Sequence, residues 1–386
     1  MSRAKVVHLS TVHHPYDPRI YHKELTSLQK AGFDVTLIAQ AAPAGSDPNP
    51  EIRHIEIPSY NSRLRRMVFG SLELYRKAKA EDADVYHFHD PELLPVGWLL
   101  KKPNNIVIYD IHEDYVTSIM QKDYLSNPMK KIVASLYKKM EKFFTRDMER
   151  CLAEKYYQEM YPDGICILNY PTVNENFIHH TRQDKPIENK LLYTGNVSDV
   201  RGAKIHAKLP LIDDRVSVHF VGKCPGDLAE EMKAIAGEDQ DRLHFEGIDR
   251  FVEKEVIEKR YLERNWLAGI ALFPPTAHYM KKELTKFFEY MNAGLPIICS
   301  NFPVWKKFVE THQCGIAVNP YDEHEIKQAI SYLRNNPERA RKMGENGKKA
   351  VIRELNWQTE EEKLIAWYNK LLDKESMNTV RKGMTV

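Results

Sequence analysis

The sequence predicts an α/β protein built from two parallel-sheet domains. Short apolar runs alternate with helical patterns, and this alternation starts again near residue 190. Strands that alternate with helices are typical of parallel sheets, because a helix is needed to return the chain to the start of the next parallel strand. The chain has 386 residues, of which 42 % are hydrophobic, so it holds enough apolar material for two cores. We therefore expect one domain over residues 1–172 and another over residues 188–356.

The individual elements follow from the same patterns. A helical pattern over residues 19–31 ends at Gly32, since glycine is favoured just after a helix. A polar segment after Asn169 is expected to link the two domains, and residues 357–373 are expected to form a last amphipathic helix. Apolar runs predict strands at 6–10, 34–40, 85–89, 106–111, 190–193, 216–221, 243–245, 269–273 and 296–299.

Composition excludes several classes of protein. The formal net charge is +2, which is too small to predict nucleic-acid binding. Five cysteines are scattered without a CxxC pair, which argues against a disulfide framework and a zinc site. The N-terminal segment has no long apolar run, and no stretch approaches the roughly 20 apolar residues of a membrane-spanning helix. We expect a cytoplasmic protein.

The segment TKFFEYMNAGLPIICS, residues 285–300, predicts a short helix that ends at Gly294 and is followed by a strand. Lys286 and Glu289 are three residues apart and share one helix face. The first turn of a helix suits a phosphate, because its free N–H groups and dipole are positive. Glu289 could accept hydrogen bonds from a ribose diol. The alternative is a surface salt bridge beside a core face formed by Phe287 and Phe288.

The same segment closely resembles the signature of the retaining glycosyltransferases of family 4. The resemblance implies the GT-B fold, in which two Rossmann-like domains face each other across a cleft. In that family the glutamate binds the nucleotide ribose and the lysine binds the diphosphate, which implies these roles for Glu289 and Lys286. It also implies that the helix over residues 357–373 packs back onto the first domain.

Three further segments resemble the family's donor loops, namely LLYTGNVSDVRG, HFVGKCPGD and LHFEGIDR. Arg201 stands in the place of a basic diphosphate ligand, so Arg201 and Lys286 are both expected to act in catalysis. Two residues depart from the family pattern: Lys281 replaces a glutamate near the donor sugar, and Asn196 replaces an arginine. The donor-binding residues implied by these loops are Gly195, Asn196, Arg201, Gly222, Lys223, Gly247 and Ile248.

In the first half, three polar segments follow predicted strands and should lie at the carboxyl edge of the sheet. They read HHPYDPRI, HFHDPEL and YDIHED, and each resembles a segment of the family. The resemblance implies that His112 faces the donor sugar and the developing charge. Asp17 could equally cap the helix that begins near Arg19, and His89 could equally pin its loop. The acceptor-side candidates are His14, Asp17, Arg19, His89, Asp90 and Glu113.

A metal ion is not expected. Asp82 and Asp84 form a D-x-D pair, which is the metal motif of the other large glycosyltransferase fold. They precede their strand, so they should lie at the amino edge of the sheet, away from ligands. Lys286, Arg201 and helix N–H groups would then neutralise the leaving diphosphate.

These observations predict a metal-independent, retaining glycosyltransferase. Its donor would be a UDP- or GDP-linked sugar, and its acceptor a saccharide or lipid-linked saccharide of cell-envelope or exopolysaccharide synthesis. The alternatives are a nucleotide-sugar 2-epimerase of the same fold and an inactive nucleotide-sugar-binding scaffold. Basic stretches at residues 61–80 and 121–146 fit either peripheral contact with the inner face of an anionic plasma membrane or an ordinary solvated helix face.

Overall fold

The computed structural model describes residues 3–42, 49–112, 114–120, 126–173, 175–178, 186–263 and 265–383. The chain divides into two compact units. The first consists of Met1–Asn169 and Trp357–Val386, and the second of Tyr170–Asn356. Among the described residues, no helix combines the length and the apolar character needed to cross a bilayer.

The first unit contains a sheet of seven parallel strands in the order β3-β2-β1-β4-β5-β6-β7. The chain order reverses between β1 and β4, and such a switch point is where open α/β sheets bind their ligands. The strands are β1 (Lys5–Leu9), β2 (Asp34–Gln40), β3 (Arg53–Ile57), β4 (Val85–Phe88), β5 (Ile106–Ile111), β6 (Glu149–Leu152) and β7 (Ile165–Cys166).

Helices cover both faces of this sheet. The α-helices before the linker are α1 (Thr26–Lys30), α2 (Arg63–Arg65), α3 (Ser71–Glu81), α4 (Leu94–Leu100), α5 (Tyr115–Met120) and α6 (Asn127–Phe144). Shorter helical turns are Ile20–Leu25 and Arg66–Gly70, which are π-helical, and Pro91–Leu93 and Lys155–Glu159, which are 3₁₀.

The second unit contains a sheet of six parallel strands in the order β10-β9-β8-β11-β12-β13. Its switch point lies between β8 and β11. The strands are β8 (Lys190–Thr194), β9 (Ser217–Cys224), β10 (Leu243–Ile248), β11 (Ala268–Ala271), β12 (Ile297–Ser300) and β13 (Gly315–Val318).

The remaining α-helices are α7 (Glu175–Ile178), α8 (Ala203–Ala207), α9 (Leu209–Ile212), α10 (Gly226–Ala236), α11 (Lys254–Glu263), α12 (Thr285–Asn292), α13 (Pro303–Thr311), α14 (Glu323–Asn335), α15 (Pro337–Arg353) and α16 (Trp357–Gly383). Two 3₁₀ turns, Asp199–Arg201 and Gly237–Arg242, belong to the second unit. Helix α16 packs on the first unit: Trp357 donates a hydrogen bond to Ser27 at 3.0 Å, and Glu360 accepts one from the Leu168 N–H at 2.8 Å.

The predicted fold class is confirmed, because both sheets are parallel and covered by helices. Strands buried on both faces give continuous apolar runs, which is why β4, β5, β11 and β12 stand out in the sequence. Four strands were not predicted. Strand β3 (RHIEI) is an edge strand with charged residues, β7 has only two residues, and β6 (ERCL) and β13 (GIAV) have four residues each.

The helix predicted over residues 19–31 is present, but only its second half is an α-helix. Residues Ile20–Leu25 form a π-helical segment, in which the Glu24 N–H bonds the carbonyl of Arg19, and α1 begins only at Thr26. The Thr26 hydroxyl donates back to the Tyr21 carbonyl at 2.9 Å. Apolar periodicity does not separate a π-turn from an α-turn over so few residues, and π-turns of this kind often occur at functional sites.

Candidate active site

On the second unit, Lys286 lies in the first turn of α12 and points toward the end of β8. Its Nζ donates a hydrogen bond to the Thr194 carbonyl at 2.9 Å and stands 3.7 Å from the centre of the Tyr193 ring. Burial, and to a smaller extent the charge of Arg201, lower the pKa of Lys286 to about 7, while Glu289 opposes the shift. The free side chain is therefore close to half protonated at pH 7 in a poorly hydrated place, where an anionic ligand would stabilise its charged form.

Glu289 lies one turn further along the same helix. Its Oε2 accepts a hydrogen bond from the Tyr261 hydroxyl at 3.0 Å, and that hydroxyl also lies 2.8 Å from the Thr194 hydroxyl. The carboxylate is therefore held in one orientation by a buried tyrosine. Such a fixed acceptor suits the two hydroxyls of a ribose.

Arg201 follows β8 in the 3₁₀ turn Asp199–Arg201. Its Nε donates to the Tyr279 hydroxyl at 3.1 Å, and its Nη1 donates to the Asn196 carbonyl at 3.3 Å. These contacts aim the guanidinium along the loop that leaves β8. An arginine fixed in this way can bind a diphosphate through its planar set of donors.

Gly195 directly follows β8, and Gly222 and Gly247 lie near the carboxyl ends of β9 and β10, where the three backbones pack against one another. A Cβ added to Gly222 would lie 2.1 Å from the Gly195 carbonyl oxygen, and one added to Gly247 would lie 2.5 Å from the Gly222 carbonyl oxygen. All three have positive φ angles of 85°, 153° and 116°. At Gly222 and Gly247 only glycine permits both this backbone conformation and this close approach, whereas Gly195 is favoured by its φ angle alone.

A cavity of about 270 Å³ brings Gly195, Arg201, Lys286 and Glu289 together. The loop 278–285 forms the other side of this cavity. The residues of this loop that line the cavity are His278, Tyr279, Lys282, Glu283, Leu284 and Thr285. A larger cavity of about 420 Å³ contains none of the predicted residues; it lies beside the stacked rings of His219 and His244 and is also lined by Trp266 and Arg260.

On the first unit, polar side chains meet at the carboxyl ends of β1, β4 and β5. The His112 Nε2 lies 2.7 Å from Asp110 Oδ2 and 3.1 Å from His89 Nδ1. Asp110 is buried and accepts two hydrogen bonds from Arg19, at 3.3 Å and 3.1 Å, so its pKa is well below its usual value despite burial. Burial lowers the pKa of His89 to about 4, so His89 is neutral at pH 7. The His112 side chain is 15 % exposed, which makes it the accessible end of this network.

Two family models match this chain. The model described as Glycosyltransferase Family 4 matches residues 19–154, and the model described as Glycosyl transferases group 1 matches residues 285–350. Together they span more than half of the chain, and they contain His112, Lys286 and Glu289. This chain belongs to the group 1 glycosyltransferases. A search of curated protein sequences found no match.

Solved structures of low sequence identity share the GT-B fold of this glycosyltransferase. A sucrose-phosphate synthase from Thermosynechococcus elongatus is 18 % identical, with a TM-score of 0.70 over 96 % of this chain and 100 % of that one. A glycosyltransferase from Rickettsia africae is 14 % identical, with a TM-score of 0.70 over 96 % and 99 %. HepE from Anabaena, solved in complex with UDP, is 12 % identical, with a TM-score of 0.68 over 95 % and 100 %.

The structure assigns Arg19 of the glycosyltransferase a place that differs from the expected one. Arg19 was expected to shape the acceptor side, but it is 2 % exposed and lies beneath the site, where it binds Asp110 and the Ile167 carbonyl. The reason is the π-helical start, where Asp17 accepts the backbone N–H groups of Arg19 and Ile20 at 2.8 Å and 3.0 Å. The capping role of Asp17 is therefore observed, and its contact with an acceptor stays a prediction.

Asp90 holds the loop after β1 in place through hydrogen bonds. It is buried and accepts hydrogen bonds from the Ser10 hydroxyl at 2.9 Å and the Thr11 N–H at 2.6 Å. His14 is exposed, and its Nδ1 accepts the Tyr16 N–H at 3.1 Å. Glu113 lies outside the described residues. Gly222, Lys223, Gly247, Ile248 and Asn196 do not line the 270 Å³ cavity, so their contact with a donor stays a prediction.

Sequence reasoning missed two groups of residues. His13 lies with its ring centre 5.2 Å from that of His112, and its Nε2 is 3.4 Å from Asp90. Tyr261, His278 and Tyr279 come from α11 and an irregular loop, where neither periodicity nor a motif marks them. The pair of adjacent histidines, His13 and His14, is the sequence feature that could have indicated His13 as a site residue.

Among the described residues, three side-chain clusters contain atoms that could hold a metal ion. They are His8, Glu24, His87 and His89; His87, Asp110 and Cys151; and His89, Asp110 and His112. Arg19 lies against all three, with its Nε 3.0 Å from Glu24 and its Nη2 3.1 Å from Asp110. A metal cation would have to compete with this guanidinium, which argues against these clusters as metal sites. Asp84 accepts the Lys5 N–H at the start of β1, so the D-x-D pair lies at the amino edge of the sheet.

Proposed function

We propose that this glycosyltransferase moves a sugar from a UDP- or GDP-linked donor to a saccharide or lipid-linked saccharide, with retention of configuration and without a metal ion. The observation that carries the proposal is the cavity that holds Lys286, Arg201 and Glu289 together on the second unit. Two cations beside a fixed carboxylate match the diphosphate and ribose of a nucleotide. HepE, solved with UDP and with UDP-glucose, supports UDP as the first nucleotide to test.

In the proposed reaction the bond between the anomeric carbon and the diphosphate oxygen breaks. Lys286 and Arg201 would stabilise the charge that develops on the leaving diphosphate. The acceptor hydroxyl would form the new bond on the face that the diphosphate leaves, and its proton would pass to a leaving phosphate oxygen. His112 would serve the transfer step through polar contact and would not act as a nucleophile.

The acceptor is proposed to bind the first unit, where His112 and exposed His14 mark the carboxyl edge of the sheet. A lipid-linked acceptor would place the enzyme peripherally at the cytoplasmic face of an anionic membrane, in cell-envelope or exopolysaccharide synthesis. The basic stretches of the first unit support this position.

A thermal-shift screen with UDP, GDP, dTDP and ADP tests the donor site. A nucleotide at 100 times its Kd should stabilise the enzyme by about 2.7 kcal/mol. We expect one nucleoside diphosphate to stabilise the wild type with or without EDTA, and to lose its effect in Glu289→Ala. Glu310→Ala, which changes an exposed glutamate of α13, is the matched control. An unchanged response of Glu289→Ala would refute the placement of the nucleotide.

The product then tests the reaction. Once a donor sugar and an acceptor are known, NMR coupling constants of the product give the configuration of the new bond. Retention is expected, and an inverted product would contradict the mechanism. Turnover of the donor sugar without any acceptor would favour an epimerase instead.

A further inference from the structure

Helix α6 exposes an apolar stripe to solvent. Every member of the stripe is between 40 % and 61 % exposed. The spacing of three or four residues puts the members on one side of the helix along its whole length. The stripe consists of Met129, Ile132, Leu136, Met140 and Phe143.

The inward side of α6 is unusual because polar groups anchor it. The Tyr137 and Tyr161 hydroxyls donate to the two oxygens of buried Glu141 at 3.0 Å and 2.6 Å. Ala134 is also buried there. The helix is therefore fixed to its unit without burying its apolar stripe, so the fold itself does not explain why these side chains are apolar.

The stripe continues onto α4. Trp98 is 46 % exposed, and its ring centre lies 6.3 Å from that of Phe143. Leu99 beside it is 53 % exposed. A contiguous apolar surface of this kind on a soluble unit marks a site of contact with a protein or a membrane. We call the stripe together with Trp98 and Leu99 the apolar face.

Lysines border the apolar face. Within the described part of the chain, none of them forms an ion pair with a carboxylate, and the one glutamate of α6 is turned inward. A second copy of the chain would bring like charges together across this surface, whereas anionic lipid headgroups would neutralise them. The lysines are Lys130, Lys131, Lys138, Lys139 and Lys142.

A second exposed apolar segment lies on the same side of the sheet, since α3, α4 and α6 cover one core. It begins at α2, with Arg63 and Arg65 exposed beside it. Arg66 of this segment forms an ion pair with Glu92, with its Nε 3.0 Å from Glu92 Oε1. Glu92 in turn accepts a hydrogen bond from the Thr11 hydroxyl at 2.6 Å, next to Asp90. The segment therefore adjoins the proposed acceptor edge. Its apolar members are Leu64, Met67, Val68, Phe69 and Leu72.

We infer that the apolar face of α6 and α4 docks the enzyme on an anionic lipid bilayer, with the stripe in the headgroup region and the lysines against the headgroups. This is the geometry of an interfacial amphipathic helix, where buried apolar area and electrostatic attraction act together. Docking itself is independent of the nucleotide site. Only its use, which is to bring a lipid-linked acceptor to the segment beside Glu92, rests on the proposed function.

The test uses the full chain and two kinds of vesicle, one of phosphatidylcholine alone and one that also contains phosphatidylglycerol. We expect sedimentation with the anionic vesicles only, and weaker binding as salt is raised. Lys138→Glu with Lys139→Glu should weaken binding by roughly tenfold or more, because each lysine near an anionic surface contributes about 1 kcal/mol. Ile132→Gln with Leu136→Gln should abolish binding at physiological salt.

Matched controls come from the second unit. Lys306→Glu with Lys307→Glu and the single change Leu211→Gln alter residues of similar exposure and should leave vesicle binding unchanged. The UDP thermal shift, measured on every variant, separates a failure of docking from a failure of the nucleotide site.

Trp98 gives a test that needs no change to the stripe. The other four tryptophans are buried, so the wild-type fluorescence should shift to the blue on anionic vesicles, and Trp98→Phe should abolish that shift. The inference is overturned if the wild type does not bind anionic vesicles. It is also overturned if the wild type is a dimer that Ile132→Gln with Leu136→Gln converts to a monomer while vesicle binding is unchanged.

Discussion

Lys286 and Thr194 are joined by a hydrogen bond of 2.9 Å from the side-chain ammonium to the backbone carbonyl. This contact holds the lysine at the end of β8, where burial has lowered its pKa to about 7. A diphosphate bound beside it would stabilise the protonated form and raise that pKa. Binding of the nucleotide and protonation of Lys286 should therefore be linked.

The linkage predicts a pH dependence. Above pH 7 the free enzyme has lost the proton that the complex holds, so UDP affinity should fall by up to about tenfold per pH unit. Below pH 7 both states carry the proton and this contribution is constant. Calorimetry at pH 8 in buffers of different ionisation enthalpy should show proton uptake by the wild type and none by Lys286→Met.

Lys282→Met is the control for this experiment, because Lys282 lines the same cavity. It should keep the proton uptake. Uptake that survives in Lys286→Met would assign the proton to another group and would contradict the prediction.

Tyr261 should act on the nucleotide through Glu289. Tyr261→Phe removes the hydroxyl that fixes the carboxylate at 3.0 Å and bonds Thr194 at 2.8 Å. Losing this contact should weaken UDP binding by roughly 0.5–1.5 kcal/mol. Titration calorimetry of Tyr261→Phe measures the loss, and Tyr332→Phe, on the exposed side of α14, is the control. Equal affinities of the two variants would rule out an orienting role.

Part of the site could be predicted because it is local in sequence. Lys286 and Glu289 share a helix face by spacing alone, whereas only the family resemblance gives them a nucleotide to bind. A glycine directly after a strand indicates Gly195, which lines the same cavity. The parallel sheets were predictable for the same reason, since strands buried on both faces leave apolar runs.

The remainder depends on contacts between distant segments. Arg19 and Asp110 are 91 residues apart in sequence, and no local pattern shows that the arginine turns inward to meet the aspartate. Tyr261 reaches Glu289 across 28 residues, from a helix of weak amphipathicity. Side-chain partners of this kind follow from how helices pack on the sheet, which a single sequence does not specify.

Substitutions of Asp110 and of His112 should have different effects, the first mainly on stability and the second mainly on activity. Asp110→Asn removes the buried carboxylate that accepts two hydrogen bonds from Arg19 and leaves Glu24 as the acidic neighbour of that guanidinium, so it should lower the free energy of unfolding by about 3 kcal/mol. His112→Ala removes a partly exposed ring and should change stability far less, while abolishing most sugar transfer. Urea unfolding and the transfer rate are measured on both variants. UDP affinity should stay at the wild-type value in His112→Ala, and a large stability loss in that variant would contradict the assignment.

The glycine contacts at the ends of the strands predict a difference between two Gly→Ala substitutions. A Cβ at Gly222 would lie 2.1 Å from the Gly195 carbonyl oxygen, whereas a Cβ at Gly237 would meet no atom within 4 Å. Both glycines have positive φ angles outside the left-handed helical region, so both variants carry backbone strain of roughly 1–3 kcal/mol.

Gly222→Ala must in addition push the Gly195 loop away from β9, which should roughly double or triple the stability loss measured by urea unfolding. Because that loop lines the cavity with Lys286 and Glu289, Gly222→Ala should also weaken UDP binding under conditions where it is fully folded. Gly237→Ala should bind UDP as the wild type does. Equal stability losses in the two variants, or unchanged UDP binding in Gly222→Ala, would show that the loop adapts and that the close approach of Gly195 and Gly222 does not shape the site.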